Sequence, residues 1–267
     1  MGSVPLRPSP MALWSISLRP ATAVRRGRHT SEMRISTWNL QWATTRSARG
    51  RRVAEVLAAV DADVIVLTEG CAAVLPAGGH IIDAGSDWGY RVDDPARRKV
   101  LMWSKHPWTD VDSVGAEELP PGRLVAGSTV TPIGEVRMIG VCVPWQGAHV
   151  TYGRRDRRPW EDHTLFLEAL GPLLHSSGGP TVLAGDFNQR IPRTTQPEVV
   201  AGLLSAALKG FEVPTAGVSE PRLIDHIAHS PDLCAVGQPK LIHKLVDGIE
   251  LSDHTGVHLG LALFPQP

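Results

Sequence analysis

The chain has 267 residues, with 27 basic and 27 acidic side chains and a formal net charge of zero. That length suits one large domain with a continuous core, and the charge balance excludes a strong whole-chain attraction to nucleic acid or an anionic membrane. Any phosphate-binding patch has to be local. Cys71, Cys142 and Cys234 stand far apart with no C-x-x-C spacing, which argues against a disulfide framework or a zinc site. The expectation is a reducing, cytoplasmic setting, with Cys142 a buried strand residue.

Residues 1–32 carry Arg7, Arg19, Arg25, Arg26 and Arg28 against one acid, Glu32, and show no periodicity, so they read as a disordered extension. The apolar run Met11 to Leu18 is too short and too broken by serine for a membrane span. Arginines follow that run, whereas a secretory signal has them in front. An Arg-rich, acid-poor start also resembles an organellar transit peptide, and that alternative stays open. Leu6 occupies the place where myristoylation wants Ser or Thr. Met33 immediately precedes the first strand and is a candidate functional start. A catalytic domain is expected over residues 33–265, acting as a monomer with no membrane span.

From Met33 short apolar runs alternate with amphipathic stretches, the pattern of an α/β protein. Arg34 to Asn39 reads as a strand. Val53, Val56, Leu57 and Val60 fall on one face of a helix over Arg49 to Val60. Asp63 to Thr68 reads as a strand buried on both faces. Val100 to Ser104, Leu124 to Thr131 and Glu135 to Val143 follow as strands with no helix between them, which implies antiparallel pairing and a mixed sheet. A second helix covers Glu161 to His175, ended by Gly178-Gly179-Pro180, and Thr181 to Ala184 is the next strand. Pro197 to Leu208 reads as a third helix with proline in its first turn. Leu223 to Ala228, Lys240 to Leu245 and Thr255 to Leu263 close the chain as strands. So many strands, with helices that can each cover only one face, predict a four-layer α/β sandwich: two mixed β-sheets face to face with helices outside.

The polar residues recur at the ends of these strands. Asn39 ends the first, Glu69 the second, Asp186 and Asn188 follow Thr181 to Ala184, Asp225 lies in a late strand, and Asp253-His254 precedes the last. One such acid is most simply a turn residue bonding its own backbone. Four acids, two amides and a histidine at one location suggest a site, because strand ends are where side chains from several strands converge. Carboxylates gathered without neutralising lysines repel one another, so the pattern suggests a hole for a hard cation, Mg²⁺ or Mn²⁺.

These segments resemble the endonuclease/exonuclease/phosphatase family. Thr37-Trp38-Asn39 is similar to its opening T/S-W-N, Leu67-Thr68-Glu69 to its metal-binding strand end, Gly185-Asp186-Phe187-Asn188 to its G-D-F-N, Arg222-Leu223-Ile224-Asp225 to its R-I-D segment, and Ser252-Asp253-His254 to its terminal S-D-H. The resemblance implies metal-dependent hydrolysis of a phosphate ester by water attack. It makes Glu69 the main metal ligand, with Asn39 beside it and Asp253 helping. Asp186 would bind or deprotonate the attacking water, and Asn188 would hold that water or a phosphate oxygen. His254 would donate to the phosphoryl oxygen or move a proton, oriented by Asp225. Asp186 and His254 both remain candidates for the general base. Two departures stand out: Gln41 occupies a place where exonuclease III-like members often have an acid, and Val141-Cys142-Val143-Pro144-Trp145 replaces the T-H-L of sphingomyelinase-like members. In the exonuclease III-like branch a tyrosine or arginine follows this strand, which makes Tyr152, Arg154, Arg155, Arg157 and Arg158 candidates. The arginine run also reads as a plain solvated loop, and Trp145 and Trp160 as packing residues on which a base or sugar could stack. Nucleic acid, nucleotides, phospholipids and sugar phosphates are all candidate substrates. The competing class is a binding module that kept the fold without catalysis.

Overall fold

The computed structural model describes residues 31–218 and 220–265, so the extension expected over residues 1–32 lies outside the described residues except for its last two. In chain order the elements are β1 (Met33–Asn39), α1 (Ala48–Val60), β2 (Val64–Cys71), β3 (His80–Asp83), β4 (Arg97–Ser104), β5 (Trp108–Asp112), β6 (Leu124–Thr131) and β7 (Gly134–Cys142). There follow α2 (Glu161–Ser176), β8 (Thr181–Asp186), α3 (Glu198–Ala207), β9 (Asp225–His229), β10 (Leu233–Ile242), the two-residue strands β11 (Leu245–Val246) and β12 (Ile249–Glu250), and β13 (Gly256–Leu263).

Two sheets carry the fold, in the orders β10-β13-β1-β2-β4-β3 and β5-β6-β7-β8-β9. Each is mixed and has one parallel pair at its centre, β1 with β2 and β7 with β8, joined by the crossover helices α1 and α2. A parallel pair needs such a crossover, and the helix it brings covers one face of the sheet. The strand sequences show the result residue by residue. Val64 and Val66 of β2 enter the core shared by the sheets, while Ile65 and Leu67 pack against α1. Val182 and Ala184 of β8 point into the shared core, and Leu183 meets α2 and α3 through Phe166, Leu170 and Leu204. The layers are therefore α1, first sheet, second sheet, then α2 with α3, as the strand and helix count predicts.

Three local expectations need correction. Val100 to Ser104 lies in β4 of the first sheet, whereas β6 and β7 pair with each other in the second. The strand expected over Lys240 to Leu245 begins at Leu233 and ends at Ile242, and Leu245 belongs to the β11–β12 hairpin. Pro197 is the N-cap of α3, one place before its first turn.

Candidate active site

The first sheet presents Asn39 at the end of β1 and Glu69 within β2, which runs on to Cys71 instead of ending at Thr68 as the sequence suggests, and the second presents Asp186 and Asp225 side by side on β8 and β9. Asn39 ties them together. Its side-chain N–H donates to Asp186 Oδ2 at 3.0 Å and its backbone N–H donates to Asp225 Oδ1 at 2.9 Å. Its own Oδ1 accepts from Gln41 N at 2.9 Å, so the amide cannot turn over without losing bonds at both ends. Gln41, standing where some family members have an acid, thus serves through its backbone. Asn39, Asp186 and Asp225 are each at most 2% exposed.

Gly185 makes the Asp186 position possible. Its φ is +142°, and a Cβ there would stand 1.9 Å from Val141 O, so no other residue fits without moving β7. Asn188 then folds back in the left-handed region, at φ 50°. Its backbone N–H donates to Asp186 Oδ1 at 2.8 Å, and its side-chain N–H groups donate to Asp186 Oδ2 at 3.1 Å and Val143 O at 2.8 Å. Burial pushes the Asp186 carboxyl up to about 7, helped by the neighbouring Asp225 charge.

His254 reaches this centre from the loop before β13. Ser252 Oγ donates to Asn39 O at 2.6 Å and accepts from His254 N at 3.1 Å, while Trp38 Nε1 donates to His254 O at 3.0 Å. The ring places Nδ1 2.5 Å from Asp225 Oδ2, and Asp253 Oδ1 lies 3.8 Å from Nε2. Burial acts to lower the imidazole value, but the charge and hydrogen bond of Asp225 outweigh it and raise the group to about 10. His254 is an imidazolium at neutral pH, and its Nδ1–H donates to Asp225.

Glu69 differs from the sequence expectation in one respect. Lys99 of β4 holds its Oε1 at 2.5 Å, so this carboxylate has a neutraliser that strand order alone does not reveal. Glu69 also sits at φ 48°, a conformation that non-glycine residues adopt at some cost and that tends to mark functional sites.

Tyr152 is not brought to this cluster: it is 69% exposed and hydrogen-bonds to none of these residues. Two of the four arginines in the run form ion pairs with nearby acids. Arg157 Nε lies 2.6 Å from Asp162 Oδ1, and Arg154 Nε lies 3.2 Å from Asp156 Oδ2. Asp162 also takes Nδ1 of the buried His149 at 2.6 Å, which locks the loop onto α2. Arg154, Arg155 and Arg158 are exposed. His163 and His226, also buried, are held near 4 by desolvation and stay neutral in hydrogen bonds to Pro144 O and Gln189 O. Both are structural, like His149.

A metal would find oxygen donors here. Asp186, Asp225 and His254 offer ligand atoms within 4.8 Å of one another, but Asp225 and His254 are already each other's partner. Among the described residues Glu69 Oε2 has no hydrogen-bond partner, and the Asp253 side chain is 55% exposed. Together with the Asn39 amide oxygen these are hard donors of the kind Mg²⁺ and Mn²⁺ take, so the residues fit such an ion.

No described helix is long and apolar enough to cross a membrane. A segment of 106 residues is 28% identical to succinyl-diaminopimelate desuccinylase from Novosphingobium aromaticivorans; it is 39% of this chain and spans 28% of that protein. Among solved structures, a 3′ phosphatase NExo from Neisseria bound to product DNA hairpin aligns with TM-score 0.62 at 19% identity, covering 85% of this chain and 98% of that one. A humanized D. rerio TDP2 aligns with TM-score 0.61 at 16% identity, covering 87% and 99%. These likenesses show the fold. The model of the Endonuclease/Exonuclease/phosphatase family matches residues 36–254, from β1 to the histidine before β13. With every strand end of the site inside that match, the chain belongs to the endonuclease/exonuclease/phosphatase family, whose members hydrolyse phosphate esters with the help of a divalent metal.

Proposed function

We propose that this protein hydrolyses phosphate esters by attack of water at phosphorus, with Mg²⁺ or Mn²⁺ held by Glu69, Asn39 and Asp253. The observation that carries the reading is the continuous chain Asn188–Asp186–Asn39–Asp225–His254, which crosses from one sheet to the other. Its two ends have opposite proton habits. Asp186, near 7, can accept a proton from water at neutral pH, so it is the general base in this reading. His254, raised to about 10, is already protonated and serves as the donor to the phosphoryl oxygen on which charge develops. Asp225 fixes the imidazolium, and Asn188 keeps both oxygens of Asp186 in place. A bound divalent ion supplies neutralisation of the phosphoryl oxygens. We also assign the domain to residues 33–265, working as a monomer in a reducing compartment, in keeping with the free cysteines Cys71, Cys142 and Cys234.

The test is hydrolysis of bis(p-nitrophenyl) phosphate by purified protein across a metal titration. Activity is expected with Mg²⁺ or Mn²⁺ and not in excess EDTA. Glu69→Ala should raise the metal concentration for half-activation by ~10-fold or more, with a smaller effect on the metal-saturated rate. Full turnover in EDTA, or an unchanged titration in the variant, would remove the metal assignment.

A further inference from the structure

Beside the acid cluster lies a recess of about 240 Å³ whose lining includes Trp42, Trp88, Trp145, Arg97, Lys99 and Arg123, with no carboxylate among its lining residues. Lys99 links it to the site, since its Nζ binds Glu69 and also sits 5.1 Å from the Trp42 ring centre. Arg97 lies over the same ring at 5.1 Å, and Trp42 stacks on Trp88 at 5.4 Å with 18° between planes.

Arg123 is the telling residue. It is 2% exposed, and among the described residues its one side-chain hydrogen bond runs from Nη1 to Cys142 O at 3.2 Å and its Nε has no partner. Neither Arg123 nor Arg97 forms an ion pair among the described residues, and the Nε of Arg97 is likewise unpartnered. A buried guanidinium without a counterion is costly, and the cost is relieved when an anion arrives. Cys142, whose carbonyl Arg123 holds, stands opposite Asp186 in the β7–β8 ladder, so that anion would lie close to the reacting phosphate. Trp145 is 44% exposed at the rim, where it offers an aromatic face to solvent.

We propose that the recess binds a nucleotide unit of the substrate, with its base stacked on the exposed ring of Trp145 and a non-scissile phosphate on Arg97 and Arg123. The inference rests on the hydrolase reading for its place in turnover, but the recess can be tested without turnover. Its size takes one such unit and not a duplex, and the source is either a free nucleotide or the end of a single strand.

Calorimetry on the full chain in EDTA, with no metal, compares adenosine 5′-monophosphate, adenosine, ribose 5-phosphate and a single-stranded tetranucleotide. The monophosphate is expected to bind at least ~10-fold more tightly than adenosine or ribose 5-phosphate. Trp145→Ala should weaken the monophosphate by roughly 5- to 100-fold and leave ribose 5-phosphate unchanged. Arg97→Gln should weaken both phosphates and spare adenosine. A tetranucleotide that binds more tightly than the monophosphate supports a strand end as source, and one that binds no more tightly supports a free nucleotide. The proposal is overturned if ribose 5-phosphate binds as well as the monophosphate, or if neither variant changes any affinity. Hydrolysis of bis(p-nitrophenyl) phosphate with Mn²⁺, run alongside, separates the two readings. Hydrolysis without monophosphate binding removes the recess alone, and binding without hydrolysis removes the hydrolase reading alone.

Discussion

Removing His254 leaves Asp225 as a buried carboxylate without its cation, because that side chain is 1% exposed and the imidazolium is its partner at 2.5 Å. A histidine in a loop looks dispensable to stability in the sequence, but here truncation strands a charge. His254→Ala is therefore expected to cost roughly 3–5 kcal/mol of stability as well as about 10²–10⁴-fold in turnover. His254→Gln can still donate to Asp225 and should lose turnover to a similar extent with a smaller fall in melting temperature. Near-normal turnover in a folded His254→Gln protein would remove the histidine from the chemistry. The same pair sets a pH dependence. The folded value of about 10 lies above the ordinary 6.5, so the stabilisation is complete below the unfolded value and is lost as pH rises through the folded one. In EDTA, the gap in melting temperature between wild type and His254→Gln should be largest near pH 6 and shrink toward about pH 10. A gap that grows over that range would contradict the ion pair. Asn39, Asp186, Asn188, Asp225 and His254 could be picked out together from the sequence because each belongs to a short motif near a strand end, and the fold links them by hydrogen bonds. Lys99 and Arg123 were not, since nothing in a linear sequence says which strand lies beside Glu69 or Cys142. Tyr152, well past the end of β7 at Cys142, faces solvent at 69% exposure, a placement the linear sequence does not reveal.

At the scale of elements, burial decided what could be read. β2 and β8, and the inner parts of β4 and β7, are buried on both faces and show as apolar runs. β3 and β5 escaped notice because they are short edge strands: His80–Asp83 and Trp108–Asp112 carry exposed or half-buried side chains throughout. Sequence periodicity is weak where only one edge and part of one face is used. The junction of β7 and β8 at Gly185 is tight. The φ of this glycine and the approach of Val141 O leave no room for a methyl group, so Gly185→Ala should destabilise the fold by about 3 kcal/mol and displace Asp186 from Asn39. Urea unfolding checks the first part, and turnover of the still-folded fraction checks the second. A stable and fully active Gly185→Ala protein would mean that β7 and β8 are more compliant than this geometry allows.

For the whole molecule, the four layers were legible because a helix can cover only one face of a sheet, and the sequence holds too many strands for one sheet. The partition of strands between the sheets was not legible, as β4 shows by leaving β6 and β7 for the other side. That partition has a consequence for the time at which the protein becomes competent. β13 is the last described strand in sequence, yet it pairs with β1, the first, and the loop before it delivers His254. Until Gly256–Leu263 is in place, β1 has an open edge, β10 has no neighbour, and Asp225 lacks its cation. A growing chain can therefore assemble the second sheet, where most pairings are between strands close in sequence, long before the first is closed. Competence does not build up gradually as the polypeptide lengthens. It is withheld from every shorter N-terminal piece and conferred at once when the two ends of the domain meet.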